Sequence, residues 1–160
     1  MKKLLLTAAI VGGGFCFIGS AYAAPCGQVT TSSFDSVITT LQTELPSGSR
    51  SERRYKRNLI RATQSNINSS CSMAESMESS MGGIANVGMS NFFSAFSTDL
   101  SQITSILSQV KTLVSNPNPT TAQINQANTL IAQAKSMSDQ VKQMARQMAK
   151  QLAESLEVNL

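Results

Sequence analysis

The C-terminal half of the chain carries the pattern that decides the fold. Residues 90–115 read SNFFSAFSTDLSQITSILSQVKTLVS, and residues 120–156 read TTAQINQANTLIAQAKSMSDQVKQMARQMAKQLAESL. In the first segment, apolar side chains recur at alternating steps of four and three: Phe96, Leu100, Ile103, Leu107, Val110 and Val114. The second segment repeats these steps with Ala127, Ile131, Ala134, Ser138, Val141, Ala145, Met148 and Leu152. This spacing is typical of amphipathic helices that pack along each other as in a coiled coil.

A short segment with two prolines separates these helices. Residues 115–120 read SNPNPT, and Thr120 or Thr121 is placed to begin the second helix. Helices joined by such a short connection fold back on each other. We therefore expect residues 84–160 to form a long antiparallel helical hairpin. A homo-oligomer, in which these apolar seams pack against a second copy of the chain, is also left open.

Two further helices are predicted nearer the N-terminus. Residues 33–45 place apolar side chains on one face: Phe34, Val37, Ile38, Leu41 and Leu45. Residues 51–81 have a weaker apolar face: Leu59, Ile60, Thr63, Ile67, Cys71, Ala74 and Met77 or Met81. A broken or curved helix is an open alternative there. The sequence thus predicts an all-α fold, a small helical bundle with an N-terminal helical region at 24–83 and the hairpin at 84–160.

The first 23 residues have the organisation of a cleavable secretory signal peptide. Lys2 and Lys3 precede an apolar run of about 15 residues, and Ala21-Tyr22-Ala23 fits the small-x-small cleavage rule. The run is shorter than the roughly 20 residues that span a bilayer. We expect cleavage after Ala23, export of residues 24–160 to the periplasm or beyond the cell, and no transmembrane span afterwards. Loss of the two lysines lowers the formal net charge from +4 to +2.

Two cysteines remain after this cleavage, Cys26 and Cys71. An even number of cysteines in an oxidising compartment is typical of a disulfide. The chain has no CxxC motif and neither cysteine has an activating sequence context, which favours a structural bridge over a redox pair. The bridge would close a loop of about 45 residues and stabilise the fold by about 3–4 kcal/mol.

The chain contains no histidine. This excludes Ser-His-Asp and Cys-His catalysis and makes an ordinary zinc site unsuitable. None of the carboxylates forms a recognisable catalytic pair, and no glycine-rich phosphate-binding motif is present. The sequence therefore predicts a protein that is not an enzyme and that uses no cofactor.

The densest charge feature lies between residues 50 and 61. Five arginines recur there at steps of three and four residues: Arg50, Arg53, Arg54, Arg57 and Arg61. On a helix they form one positive stripe, and Glu52 is the single acidic residue of the run. Because export makes nucleic acid an unsuitable partner, we expect an acidic envelope protein or an anionic envelope surface. A solvated helix face without a partner is the alternative.

Methionines at helical spacing give a second binding hypothesis. Met73, Met77 and Met81 recur every four residues, and thioethers are soft ligands that can hold Cu(I) or Ag(I). Methionine is also a flexible packing residue at helix interfaces. Packing is the favoured interpretation, and a soft-metal site is the alternative.

The mature region resembles, in composition and architecture, exported helical accessory proteins such as small subunits of envelope secretion or conjugation machines, and small periplasmic chaperones. The resemblance rests on no motif and assigns no residues. It implies a non-enzymatic interaction protein that presents polar helix faces, and the basic stripe, to an envelope assembly. A periplasmic chaperone or stress protein, and a soft-metal binder, are the alternatives.

Overall fold

The computed structural model describes residues 33–43, 48–81 and 87–157, and its regular structure there is entirely helical. Helix α1 spans Ser33–Thr43, α2 Arg50–Met81, α3 Val87–Val114 and α4 Thr121–Glu157. No strand occurs within these three ranges, which confirms the all-α class. No helix in the same ranges is both long and apolar enough to cross a membrane.

The helix boundaries differ from the predicted ones mainly around α2 and α3. Helix α2 is continuous over its 32 residues, so the break left open by its weak apolar face does not occur. Helix α3 begins at Val87, three residues before the predicted start, and Gly88 lies in its first turn. The signal peptide, Cys26 and the predicted end of the first helix at Leu45 lie outside the described residues.

The four helices follow each other around the bundle in the order α1, α2, α4, α3. Helix α4 packs along both α2 and α3, and the short α1 packs against the same two helices. Helices α1 and α4 therefore lie on opposite sides of the bundle.

Connection lengths determine the helix directions. Residues 82–86 join α2 to α3 and can span about 20 Å at most, whereas the 28 residues of α3 extend over about 42 Å. Helix α3 must therefore start near the end of α2. Because both helices also pack along α4, α3 runs back in the opposite direction, so α2 and α3 are antiparallel. The turn at 115–120 makes α3 and α4 antiparallel as well. Helices α2 and α4 consequently run in parallel.

A contact between α2 and α4 fixes their register. The Asn66 amide of α2 lies 3.2 Å from Ser138 Oγ and 2.7 Å from Asp139 Oδ1 of α4. Because the helices are parallel, the first three turns of α2 lie level with the start of α4. The basic run 50–61 is therefore at the end of the bundle that carries the turn 115–120, which we call the turn end.

The predicted heptad seams form the core. The buried members are Phe96, Leu100, Ile103, Leu107 and Val110 in α3, and Ala127, Ile131, Ala134, Ser138, Val141 and Ala145 in α4. Helices α1 and α2 add Ile38, Leu41, Ile60, Thr63, Ile67, Cys71, Ala74 and Met77. Leu59, Val114, Met148 and Leu152 are partly buried against this core. The alanines of α4 leave space for its neighbours to approach closely, so few aromatic residues are needed to fill the bundle.

Reciprocal hydrogen bonds begin helices α2 and α4. The Ser49 N–H donates to Glu52 Oε2 over 2.8 Å, and the Glu52 N–H donates to Ser49 Oγ over 3.2 Å. In α4 the Thr120 N–H donates to Gln123 Oε1 over 2.9 Å, and the Gln123 N–H donates to Thr120 Oγ1 over 3.2 Å. Each capping box gives partners to two backbone donors that the helix itself leaves unpaired.

The α4 cap gives a first prediction. Replacing Thr120 by alanine removes the hydroxyl that accepts from the Gln123 N–H, and we expect the free energy of unfolding to fall by about 1 kcal/mol. Thr121→Ala is the matched control, because the exposed Thr121 side chain takes no part in the capping box. Urea unfolding followed by circular dichroism measures both variants. Equal losses in the two would mean that the cap contributes nothing.

Candidate functional site

Five arginines of α2 form what we call the arginine surface: Arg50, Arg53, Arg54, Arg57 and Arg61, all of them exposed. Four of these, all but Arg53, line one open depression of about 860 Å³ together with Ser51 and Asn58. The depression lies on the outer side of a single helix at the turn end. The structure thus brings four of the predicted stripe residues together along one line.

Arg53 lies to the side of this line, toward α1. It lines a separate hollow of about 190 Å³ with Gln42 and Thr43 of α1 and with Arg57 of α2. Arg57 connects the two regions, and its Nε donates to the Arg53 carbonyl oxygen over 3.4 Å. The predicted single stripe is therefore a line of four arginines with a fifth on its flank.

Helix periodicity explains why the arginine surface faces outward. The core-facing side of α2 carries Ile60, Thr63 and Ile67, each 0–1% exposed. At 100° per residue, the line of four arginines lies about 120° around the helix from these core residues, on the solvent-facing surface. Tyr55, 65% exposed, points in a third direction and does not interleave with the arginines.

The one carboxylate within the basic run is engaged in the helix cap. The pKa of Glu52 lies below its usual value, first because the Ser49 backbone N–H bonds to its carboxylate, then because of the Ser49 hydroxyl, and last because of the charge of Lys56. Across residues 33–43, 48–81 and 87–157, the two ion pairs are Lys135–Asp139 and Lys150–Glu154. No described carboxylate therefore neutralises the arginine surface.

A polar network that the sequence patterns did not indicate lies between α2 and α4. Asn66, 8% exposed, donates to Ser138 and Asp139 and accepts from Lys142 Nζ over 3.1 Å. Lys135 Nζ lies 2.6 Å from Asp139 Oδ2. The network gives the Asn66 amide a partner for both its oxygen and its nitrogen. Because these partners exist at one register only, the network fixes how far α2 is displaced along α4.

Replacing Asn66 by alanine is expected to lower the free energy of unfolding by about 2–3 kcal/mol. The substitution removes hydrogen bonds to Asp139 and Lys142, and bonds to charged groups contribute more than neutral ones. Asn68→Ala is the matched control, since Asn68 is exposed on the same helix. Urea unfolding of both variants gives the comparison. A loss no larger than that of Asn68→Ala would show that the network does not stabilise the bundle.

The same network predicts a pH dependence. The pKa of Asp139 is lowered from its ordinary 3.8, first by the hydrogen bond from Lys135 and then by Asn66 and the charge of Lys142. An acid with a lowered folded-state pKa stabilises the fold above its unfolded pKa and loses this contribution as the pH falls through the folded pKa. We expect Asp139→Asn to cost under about 1 kcal/mol at pH 7, since its side chain is 48% exposed. The cost should shrink below pH 4.

Unfolding of Asp139→Asn at pH 7, 5 and 3 measures this dependence. Glu154→Gln is the control, because Glu154 forms the more exposed pair with Lys150, at 3.7 Å. A cost for Asp139→Asn that stays constant down to pH 3 would contradict the lowered pKa of Asp139 in the folded protein.

The described methionines are packing residues. Met77 is 3% exposed, and Met73 is partly buried against the core. The side chain of Met81 lies outside the described residues, so the soft-metal trio stays a prediction.

Cys71 is 3% exposed on the inner side of α2. Its predicted partner Cys26 is outside the described part of the chain, and the disulfide also stays a prediction.

Comparison with known proteins identifies no relative of this chain. No family model matches the chain, and no curated protein or solved structure matches it significantly. Functional inference therefore depends on the arginine surface itself.

Proposed function

We propose that the protein is an exported, non-enzymatic interaction protein of the bacterial cell envelope, acting as an accessory subunit of a secretion or conjugation assembly. The observation that carries the proposal is the arginine surface, five exposed guanidinium groups with no described carboxylate against them. A surface of this kind attracts an anionic partner and steers its approach. The bundle holds the surface on one continuous helix, so the charges keep a fixed spacing.

Export is part of the proposal, and its support is the predicted signal peptide. The non-enzymatic role is supported by the absence of histidine from the whole sequence. A Cys26–Cys71 disulfide is also part of the proposal. The support for it is that Cys71 lies buried on the inner side of α2, where a bridge would tie the N-terminal arm to the bundle.

The two alternatives have less support. A chaperone with a Met-rich surface needs exposed methionines. Among the methionines whose side chains the structure describes, none is exposed: Met73, Met77, Met137, Met144 and Met148 are buried or partly buried. The burial of these methionines likewise favours a packing role over a soft-metal site. Light scattering of an aggregating substrate tests the first alternative, and melting with Ag(I) tests the second.

Crosslinking in intact cells, followed by capture of the tagged protein and mass spectrometry, tests the proposed function. We compare the wild type with Arg54→Gln/Arg61→Gln, in which two residues of the arginine surface lose their charge. Arg146→Gln/Lys150→Gln is the matched control, because it removes the same charge from exposed positions on α4. Circular dichroism checks that all three proteins have the same helix content.

We expect the wild type and the control to capture the same envelope components, and the arginine variant to lose most of them. A capture pattern unchanged in the arginine variant would refute the proposal. So would a broad set of unrelated envelope proteins, which is the result expected of a chaperone.

A further inference from the structure

The shape of the arginine surface narrows the class of partner. Arg50, Arg54, Arg57 and Arg61 line one depression along α2. At 100° and 1.5 Å per residue, they fall within a sector of about 60° and extend over about 16 Å. The cations therefore form a narrow line parallel to the helix axis, with steps of four, three and four residues.

The described residues around this line offer no apolar anchor. Among the described residues, the exposed large hydrophobic side chains are Tyr55 and Leu156. Tyr55 is about 130° around the helix from the middle of the line, and Leu156 is near the end of α4, at the other end of the bundle from the turn. Helices that bind a membrane surface insert an apolar face beside their basic residues. The described surroundings of the arginine line contain no such apolar face, which disfavours a lipid surface.

The described carboxylates of a second copy match this line poorly. They are Glu52, Glu75 and Glu78 in α2, Asp99 in α3, and Asp139, Glu154 and Glu157 in α4. None of these helices carries four carboxylates at steps of four, three and four residues.

We infer that the outer side of α2 docks lengthwise against an acidic α-helix of a partner protein. Carboxylates at positions i, i+4, i+7 and i+11 of that helix would lie opposite Arg50, Arg54, Arg57 and Arg61. Heptad-spaced charges on two adjacent helices meet repeatedly, as the flanking charges of coiled coils do. The arginine fork also pairs with a carboxylate through two hydrogen bonds, which a lysine does not. The inference rests on the proposed function and names the partner of the same site.

Two synthetic helical peptides of equal composition test the inference. One carries glutamates at i, i+4, i+7 and i+11, and the other carries the same four glutamates spread around the helix. Fluorescence anisotropy with the purified protein at low ionic strength measures both affinities, and circular dichroism checks that the peptides are equally helical. We expect the matched peptide to bind about tenfold more tightly than the permuted one.

Variants assign the contact to the arginine line. We expect Arg54→Gln/Arg61→Gln to weaken binding of the matched peptide about tenfold, and Arg54→Lys/Arg61→Lys to weaken it by about threefold because the charge remains. Arg146→Gln/Lys150→Gln should change it less than twofold.

Three results would overturn the inference. The first is equal affinity for the two peptides. The second is binding to vesicles of phosphatidylglycerol and phosphatidylcholine without binding to either peptide. The third is a salt-sensitive dimer, measured by light scattering, that Arg54→Gln/Arg61→Gln abolishes, since a second copy would then occupy the surface. None of these three results decides the proposed function, which the crosslinking experiment in intact cells tests separately.

Discussion

Replacing Leu107 by alanine is expected to lower the free energy of unfolding by about 2–5 kcal/mol. Leu107 is 0% exposed in the middle of the α3 seam, where the substitution removes buried methyl groups and leaves a cavity. A domain of this size is stabilised by about 5–15 kcal/mol in total. The variant should therefore unfold at a clearly lower urea concentration.

Leu156→Ala is the matched control for this prediction. It makes the same chemical change near the end of α4, where Leu156 is 48% exposed. We expect a change of under about 0.5 kcal/mol. Similar losses in the two variants, measured by urea unfolding, would contradict the placement of the α3 seam in the core.

Replacing Cys71 by serine is expected to lower the free energy of unfolding of the oxidised protein by about 3–4 kcal/mol. The proposed bridge to Cys26 closes a loop of about 45 residues, and opening it restores conformational entropy to the unfolded chain. Cys71 is also 3% exposed, so the buried serine hydroxyl adds a smaller cost.

The double variant separates the bridge from packing. Cys26→Ser alone should cost about as much as Cys71→Ser, and Cys26→Ser/Cys71→Ser should cost little more than either, because one bond is lost in all three. Urea unfolding of the oxidised proteins, and thiol titration after denaturation, give the measurement. A wild type that loses no stability under reduction would contradict the bridge.

The helical fold could be predicted from the sequence because its seams are regular. In α3 and α4 the four-three spacing continues over several turns, so the buried face is evident without any knowledge of neighbours. Even Ser138, a polar residue in the α4 pattern, is buried at 0% exposure. Packing of α2 was harder to foresee, since its apolar face is interrupted by serine and asparagine.

The polar network shows why the rest of the structure could not be predicted. Asn66 was not part of the predicted apolar face, although it is 8% exposed. Its partners Asp139 and Lys142 lie more than 70 residues further along the chain. Only the register of two parallel helices brings these side chains together, and no local pattern encodes that register.

The arginine surface was predictable in part. Steps of three and four residues place the five arginines on one side of a helix. The separation of Arg53 from the line of four depends on where α1 packs, beside Gln42 and Thr43. The engagement of Glu52 in the cap, which leaves no described carboxylate to neutralise the arginines, follows from the Ser49–Glu52 spacing, a capping box within the sequence.

Site-specific photocrosslinking in intact cells tests the central claim most directly. A photoreactive side chain replaces Asn58, which lines the arginine depression, or Gln147, an exposed control position on α4. The account predicts one discrete crosslinked product from position 58, which is lost when Arg54 and Arg61 are changed to glutamine. It predicts no crosslinked product of the same mass from position 147. The same product from both positions, or none from position 58, would contradict the claim that the arginine surface binds the partner.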